Sequence, residues 1–275
     1  MARIPIQDDY TDVLRKAQRG HKITDKELAA RAGITQESLA AIQTGRPLDA
    51  VLRRVARHLQ LSPNALEELA HKRWYPVQPD FPRGFMMFNT PYKQDITVNS
   101  YLVWDSKTKQ AAAFDTGTDS AGMLTEIETA GLKLQHIFIT HTHPDHVADL
   151  DRLADATGAA VWASELEPIS RPGSQTFKEN AHFHLGALSI KTLLTSGHSP
   201  GQTTFFVKGL SWPLAVVGDS LFSCSLGSSP TGFLEQLGNN RSKIFTLPKD
   251  TVIACGHGPL TTLAQEKLHN PFYAR

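Results

Sequence analysis

Cysteine is scarce, with Cys224 and Cys255 the only two in 275 residues. That excludes a disulfide framework and any zinc site built on several thiolates. Long apolar runs are missing as well. Stretches such as Gln110–Phe114 and Leu214–Val217 fall far short of the ~20 residues that cross a bilayer as a helix. The N-terminus, Met1 to Tyr10, turns acidic at Asp8 and Asp9, where a secretory signal needs its apolar stretch. The expectation is a cytoplasmic protein with no membrane partner. Excess charge is absent too, since 28 Lys and Arg against 27 Asp and Glu leave a net +1, and nothing global draws the chain to nucleic acid or an anionic surface. The balance is uneven along the chain. Residues 1–75 carry 13 Lys and Arg against 9 Asp and Glu, a net +4, and the remainder nets −3, so a polyanion meets the N-terminal part first. What is present, 40% hydrophobic and 20% charged residues with 19 Gly and 16 Pro, is the composition of a globular protein with a sizeable core. The length suits two unequal domains.

From Asp9 to His71 apolar residues recur at helical spacing: Val13, Leu14 and Ala17, then Leu28, Ala29 and Ala32, then Leu39 and Ile42, then Leu52, Val55 and Leu59. Thr24 before Asp25-Lys26-Glu27 starts a helix and Gly33 ends it; Thr35 starts the next, Gly45 closes it, and Ser62-Pro63 starts another. This reads as an all-α unit of four or five short helices. Pro76, Pro79 and Pro82 cannot continue a helix and mark Trp74–Pro82 as a semi-rigid linker. A first domain over residues 1–75 and a second over 76–275 are therefore predicted. In the second, short apolar or alternating runs predict strands at Phe85–Phe88, Val98–Trp104, Ala111–Phe114, Ile137–Thr140, Ala160–Ala163, Leu188–Leu194, Thr203–Val207, Leu214–Val217 and Val252–Ala254. Helical stretches at Ser120–Ala130, His146–Thr157, Leu234–Phe245 and Leu260–Leu268 make this part α/β. Ser164–Asn180, with Arg171, Pro172 and Gly173, reads as a plain surface loop.

His141-Thr142-His143-Pro144-Asp145-His146 follows directly on the apolar run Ile137-Phe138-Ile139. A lone histidine is ordinarily a surface or satisfied core residue. Three imidazoles and a carboxylate within six positions would repel and lose hydration if buried without a partner, and a divalent cation offsets that cost by direct coordination. Three further candidate ligands follow apolar runs and stand beside glycines: His198 after Gly197, Asp219 after Gly218 and His257 after Gly256. The glycines allow tight turns that aim side chains into a shared pocket at strand ends. Five histidines and two aspartates make up the candidate metal set. His136, His182 and His184 read as structural or surface residues, and Cys255 as an inert buried thiol.

This order, His141-x-His143-x-Asp145-His146 and then His198, Asp219 and His257, resembles the metallo-β-lactamase superfamily over residues ~84–271. Within it the likeness is to the glyoxalase II group. The matching words are Phe114-Asp115-Thr116-Gly117, Gly197-His198-Ser199-Pro200-Gly201, Gly218-Asp219-Ser220-Leu221-Phe222, and Gly256-His257-Gly258-Pro259-Leu260-Thr261-Thr262 through Glu266 to His269-Asn270-Pro271-Phe272. The resemblance implies an αββα sandwich. It also implies two divalent metal ions, zinc first with iron or manganese as alternatives, one on His141, His143 and His198, the other on Asp145, His146 and His257, with Asp219 bridging. The implied reaction is hydrolysis of a thioester, ester or similar small-molecule acyl substrate by a metal-bridging hydroxide. Asp145 would be the catalytic residue that orients the hydroxide or passes on its proton, and Asp115 would support the site from behind the ligands.

The sequence departs from that group at Gly227-Ser228-Ser229-Pro230, where an arginine and an acid are usual, and in having only 18 residues after His257, too few for the helical domain that grips glutathione there. Glutathione thioesters are thus one candidate substrate among several. A persulfide dioxygenase-like enzyme, with one iron on His141, His143 or His198, and Asp219, is an alternative. True β-lactamase activity is disfavoured by the missing export signal.

Thr24 to Gly45 resembles a phage-repressor-type (XRE) helix-turn-helix through its Leu28-Ala29-x-x-x-Gly33 core. That likeness implies a second helix entering a major groove from Gln36, with Gln36 and Ser38 as base readers. Yet from Ala32 to Gly45 there is no Lys or Arg, and Glu37 would face the phosphates that supply most of the binding energy in DNA complexes. DNA stands as a candidate partner, and a DNA-binding regulator with a ligand-sensing second domain as a further alternative function. The favoured reading of this unit is a scaffold kept for homodimerisation or for covering the catalytic cleft.

Overall fold

In the computed structural model, which describes residues 3–93, 96–229 and 231–274, five helices come first: α1 (Tyr10–Gly20), α2 (Asp25–Ala32), α3 (Gln36–Gln43), α4 (Asp49–His58) and α5 (Pro63–Ala70). Their ends carry the local signals read from the sequence. Thr24 Oγ1 accepts from Glu27 N at 3.3 Å while Glu27 Oε2 accepts from Thr24 N at 2.9 Å, a reciprocal cap. Gly33 closes α2 in the left-handed region at φ 62°, and Thr35 Oγ1 accepts from Ser38 N at 3.1 Å.

Two six-stranded sheets follow, each ordered in space as in the sequence. The first holds β1 (Phe85–Lys93), β2 (Ile96–Trp104), β3 (Gln110–Phe114), β4 (Lys133–Phe138), β5 (Ala160–Ser164) and β6 (Gln175–Phe177), antiparallel up to β3 and parallel beyond it. The second holds β7 (His182–Leu185), β8 (Leu188–Leu194), β9 (Thr203–Lys208), β10 (Leu214–Gly218), β11 (Val252–Cys255) and β12 (Thr261–Thr262), with β10 and β11 the parallel pair. Parallel neighbours need crossovers. The helical ones are α6 (Ala121–Thr129) between β3 and β4, α7 (Pro144–Val147) with α8 (Leu150–Thr157) between β4 and β5, and α9 (Phe233–Asn239) with a π-helical turn over Asn240–Ile244 between β10 and β11; residues 165–174 join β5 to β6 without a helix, and α10 (Leu263–His269) follows β12.

The sheets pack face to face through Phe114, Phe138, Phe205, Val216 and Ala254. Met123 and Leu153 cover the outer face of the first sheet at Ala113 and Ile137. On β10 the two-residue period is explicit: Leu214 and Val216 point between the sheets, whereas Ala215 and Val217 join a core with Phe233, Phe272 and the buried faces of α1 to α4. The result is an αββα sandwich whose second outer layer includes the N-terminal helices.

Those helices are bonded in place. Ser62 N donates to Pro271 O at 2.7 Å, Glu68 Oε2 lies 2.8 Å from His269 Nδ1, and Trp74 stacks on His269 at 4.2 Å. Trp74–Pro82, expected to be a semi-rigid linker, is fastened as well, for Val77 N donates to Gln265 Oε1 at 2.7 Å and Gln78 Nε2 to Leu260 O at 2.9 Å.

Several expected boundaries shift for identifiable reasons. The strand expected at Ile137–Thr140 is β4, Lys133–Phe138, because Thr140 N bonds the Asp115 carboxylate instead of a neighbouring strand. The helix expected over His146–Thr157 breaks into α7 and α8 where the Asp149 carboxylate is taken by Ser120 N and Oγ. Thr261 and Thr262 pair with β11 before Thr262 caps α10, so the helix expected from Leu260 starts later. Gln175–Phe177, inside the expected loop, is an edge strand. No helix among the described residues is long and apolar enough to cross a membrane.

Candidate metal centre

Strand ends from both sheets meet at one rim. Asp115 follows β3, residues 141–146 follow β4, His198 follows β8, Asp219 follows β10 and His257 follows β11. Tyr101 OH donates to Cys255 O at 2.6 Å, Asn99 N to Gly256 O at 2.8 Å and Thr203 N to Thr140 O at 2.9 Å, stitching one sheet to the other beside the site. All seven residues expected as ligands come together here. One group comprises His141, His143 and His198, a second Asp145, His146 and His257, and a third His141, His146 and Asp219, each with its ligand atoms within 4.8 Å of one another. His143 Nδ1 lies 3.0 Å from His141 Nε2 and 2.9 Å from His198 Nε2. Asp145 Oδ2 lies 3.2 Å from His257 Nε2. Asp219 stands between the groups, its Oδ1 3.3 Å from His146 Nε2 and its Oδ2 3.5 Å from His198 Nε2 and 3.6 Å from His257 Nε2.

Four imidazoles are held from behind. His146 Nδ1 donates to Asp115 Oδ2, His198 Nδ1 to Ser228 O and His257 Nδ1 to Thr97 O, each at 2.7 Å. Thr140 Oγ1 gives its own proton to Asp115 Oδ2 at 2.8 Å and so accepts from His141 Nδ1 at 3.1 Å. A proton on Nδ1 leaves the Nε2 lone pair aimed inward, the state a metal ligand requires. Inside, buried His146 Nε2 and Asp219 Oδ1 have no hydrogen-bond partner among the described residues. Unsatisfied buried polar atoms are costly, and a cation between them removes the cost, so the residues present fit a metal site.

The electrostatics agree. Burial opposes charge on His146, but the carboxylates of Asp115 and Asp219 outweigh it and hold its pKa well above the ordinary value. Burial and the neighbouring imidazole of His146 push His141 well below. Burial also works against charge on Asp219, yet His257 and His146 keep its carboxyl well under the usual range. Burial also holds His198 below its ordinary value despite Asp219, whereas Asp219 and Asp145 outweigh burial at His257 and hold it above.

Asp115 is a buried support, with Oδ1 accepting from Thr140 N at 2.8 Å. Its φ of 55° lies in the left-handed region that short polar residues tolerate. Gly197 and Gly218 take φ of 139° and 49°, as tight turns require. Gly256 serves differently, because a Cβ there would stand 2.2 Å from Asp219 Oδ1; the residue must be small so that Asp219 can approach.

Glu167 was not foreseen. It lies in the stretch expected to be a plain surface loop, yet it accepts from Thr142 N and Oγ1 at 2.7 Å each, from Ser199 Oγ at 2.6 Å and from Gly201 N at 2.8 Å. Burial raises its pKa, but these donors prevail and hold it below the ordinary value. It therefore ties the His141–His146 loop to the His198 loop. No spacing or periodicity marks a lone acid for this task. His182 and His184 are exposed on β7, and His136 packs half-buried against Trp162, away from the cluster. Cys255 is buried and burial pushes its thiol pKa well up. Ser228 and Ser229, from the departing word, border the cleft, and Pro230 lies outside the described residues.

A cleft of ≈ 580 Å³ opens over the cluster. Asp145, His198, Asp219 and His257 form its floor, Tyr92 and Phe222 stand beside them, and Arg15, Lys16 and Arg19 of α1 line it as well.

The sequence matches the family model of the metallo-beta-lactamase superfamily over residues 95–257. Hydroxyacylglutathione hydrolase GloC of Haemophilus influenzae is 30% identical over 197 residues, covering 63% of this chain and 92% of that protein. A probable metallo-hydrolase of Streptococcus pyogenes serotype M6 is 32% identical over 199 residues, covering 63% and 84%. Among solved structures, ETHE1 from Myxococcus xanthus superposes with a TM-score of 0.59 at 25% identity over 69% of this chain and 84% of that one. TTHA1623 in a di-iron-bound form superposes with a TM-score of 0.52 at 25% identity over 70% and 100%.

Proposed function

The chain belongs to the metallo-beta-lactamase superfamily and is a metallo-hydrolase of that fold, and we propose that it hydrolyses a thioester or related acyl ester at a dinuclear metal centre. The observation that carries this reading is the pair of three-residue ligand groups with Asp219 between them. His141, His143 and His198 would hold one ion and Asp145, His146 and His257 the other, with Asp219 shared. Two divalent ions supply an activated water at neutral pH and a Lewis acid for a carbonyl oxygen. The chain's own residues do the rest. Asp145, on the cleft floor beside His257, is placed to orient a nucleophile or hand a proton to the leaving group. Asp115 fixes the tautomer of His146, and the carbonyls of Ser228 and Thr97 fix those of His198 and His257. Similarity to a hydroxyacylglutathione hydrolase supports thioester chemistry, and similarity to a di-iron-bound structure supports two ions; zinc remains the first candidate.

For α1 to α5 the reading is a cover for the cleft. Arg15, Lys16 and Arg19 on its wall support that, and exposed Gln36 and Glu37 at the start of α3 offer no cation to a phosphate.

Elemental analysis of protein purified without a chelating tag, repeated on His146→Ala and Asp219→Ala, tests the centre. About two ions per chain, falling towards one in His146→Ala and further in Asp219→Ala, with metal-dependent release of thiol from S-acyl thioesters, is the expected result. One iron per chain, insensitive to His146→Ala, overturns the dinuclear reading in favour of single-iron sulfur oxidation.

A further inference from the structure

We propose that the polar face of α1 binds an anionic group of the substrate through Arg15 and Arg19, so that the acyl compounds this enzyme accepts carry a carboxylate or phosphate. The inference rests on the hydrolase reading above and names its substrate class.

Helix α1 uses both faces. Tyr10, Val13, Leu14 and Ala17 are buried in the core beneath the second sheet. Asp12, Arg15, Lys16 and Arg19 fall at i, i+3, i+4 and i+7 on the opposite face, which lines the cleft over the metal centre. The helix is fixed there, for a Cβ on Gly20 would stand 2.2 Å from the ring of Phe233.

The charges on this wall have different commitments. Lys16 is spent on structure: its ammonium pairs with Asp8 and donates to Leu226 O at 2.8 Å, tethering α1 to the chain beyond Asp219. Among the described residues Arg15 pairs with Asp12 alone, at 2.7 Å, and Asp12 also accepts from Asp9 N in the helix cap. Arg19 has no carboxylate within ion-pair distance among the described residues. Both arginines are exposed. They also border a groove of ≈ 350 Å³ that α1 forms with the start of α2, where Lys22 adds a cation and Asp25 is occupied by Gln18 and Gln43 at 2.6 and 3.0 Å. Two guanidinium groups one helical turn apart, about 6 Å along the axis, therefore stand where cleft and groove meet. Their planar forks match carboxylate and phosphate oxygens. A substrate with its acyl group over the metal ligands and a charged arm along α1 meets both.

The test is calorimetric titration of the metal-loaded full chain with three hydrolysis-resistant thioethers: S-hexylglutathione for carboxylates, S-hexyl-coenzyme A for phosphates and uncharged S-hexyl-N-acetylcysteamine. At least one anionic thioether should bind tenfold or more tighter than the neutral one, and its identity tells carboxylate from phosphate. In Arg15→Gln/Arg19→Gln, checked for fold by circular dichroism and for metal content, that advantage should fall at least tenfold; Arg15→Lys/Arg19→Lys should recover part of it. Equal binding of all three, no binding of either anionic thioether, or an undiminished advantage in the Gln variant, which would locate anion affinity at the metal cluster, overturns the inference. Turnover of the matching thioesters is scored separately. If none releases thiol, the hydrolase reading fails while the titration still judges the arginines.

Discussion

Glu167 never touches the cluster, yet two of the loops that build it hang on its carboxylate. Removing the carboxylate leaves Thr142 N and Gly201 N without an acceptor and frees both loops. Glu167→Ala should therefore stay folded and lose about 10–100-fold in metal affinity, read by competition with a chromophoric chelator. Glu167→Gln keeps one acceptor oxygen but turns an amide NH2 towards donors, and should fall between. A folded Glu167→Ala with the parent's affinity would falsify the positioning role. The contrast with the seven candidate ligands is instructive about what a sequence carries. Those residues are legible because imidazoles and carboxylates after apolar runs have few other reasons to cluster. Glu167 is an ordinary acid until Thr142, Ser199 and Gly201 are brought to it from distant parts of the chain. Gly256 stood out as a glycine, but its purpose, room for Asp219, is visible only in three dimensions.

At the scale of elements, α10 is anchored by a buried acid. Glu266 Oε2 accepts from Cys224 N at 3.1 Å and Asn270 Nδ2 at 2.8 Å, and Oε1 from Thr261 Oγ1 at 2.9 Å. Complete burial nonetheless pushes its pKa up to about 7. A carboxyl whose folded pKa exceeds its unfolded value holds its proton longer in the native state, so its contribution to stability falls as pH rises from the ordinary carboxyl value to about 7. Glu266→Gln removes that titration while its oxygen serves Cys224 and Asn270 and its amide donates to a rotated Thr261 hydroxyl. Between pH 5 and 8 the parent should lose roughly 2–4 kcal/mol relative to the variant in urea unfolding; a constant difference across that range contradicts this account. Elements were legible in proportion to how local their causes are. The caps of α2 and α3 lie within a few residues of the helices they start. The short edge strand β6 carries mostly exposed residues and has no burial pattern to read. The split between α7 and α8 depends on Ser120, about thirty residues away.

For the whole molecule, a division near residue 76 is expected from the change of apolar spacing and the prolines of Trp74–Pro82, but the docking of the two parts is not. An amphipathic helix announces that one face will be covered without saying by what. Here Val13, Leu14 and Leu52 share a core with Val217, Phe233 and Phe272. Calorimetry of the full chain should accordingly give one cooperative transition, and residues 76–275 alone, with Leu226 and Phe233 uncovered, should aggregate or bind a hydrophobic dye. Two separate transitions, or a soluble fragment with the parent's metal content, would contradict the shared core. That core also sets a schedule during synthesis. Phe233 lies 213 residues beyond Gly20. At ribosomal speeds of ~5–20 residues per second the finished α1 waits roughly 10–40 s for the surface that covers it. Throughout that interval the emerging chain offers an apolar face to chaperones and to other nascent chains, so a helix that lines the cleft is also a segment open to misassembly while the protein is being made.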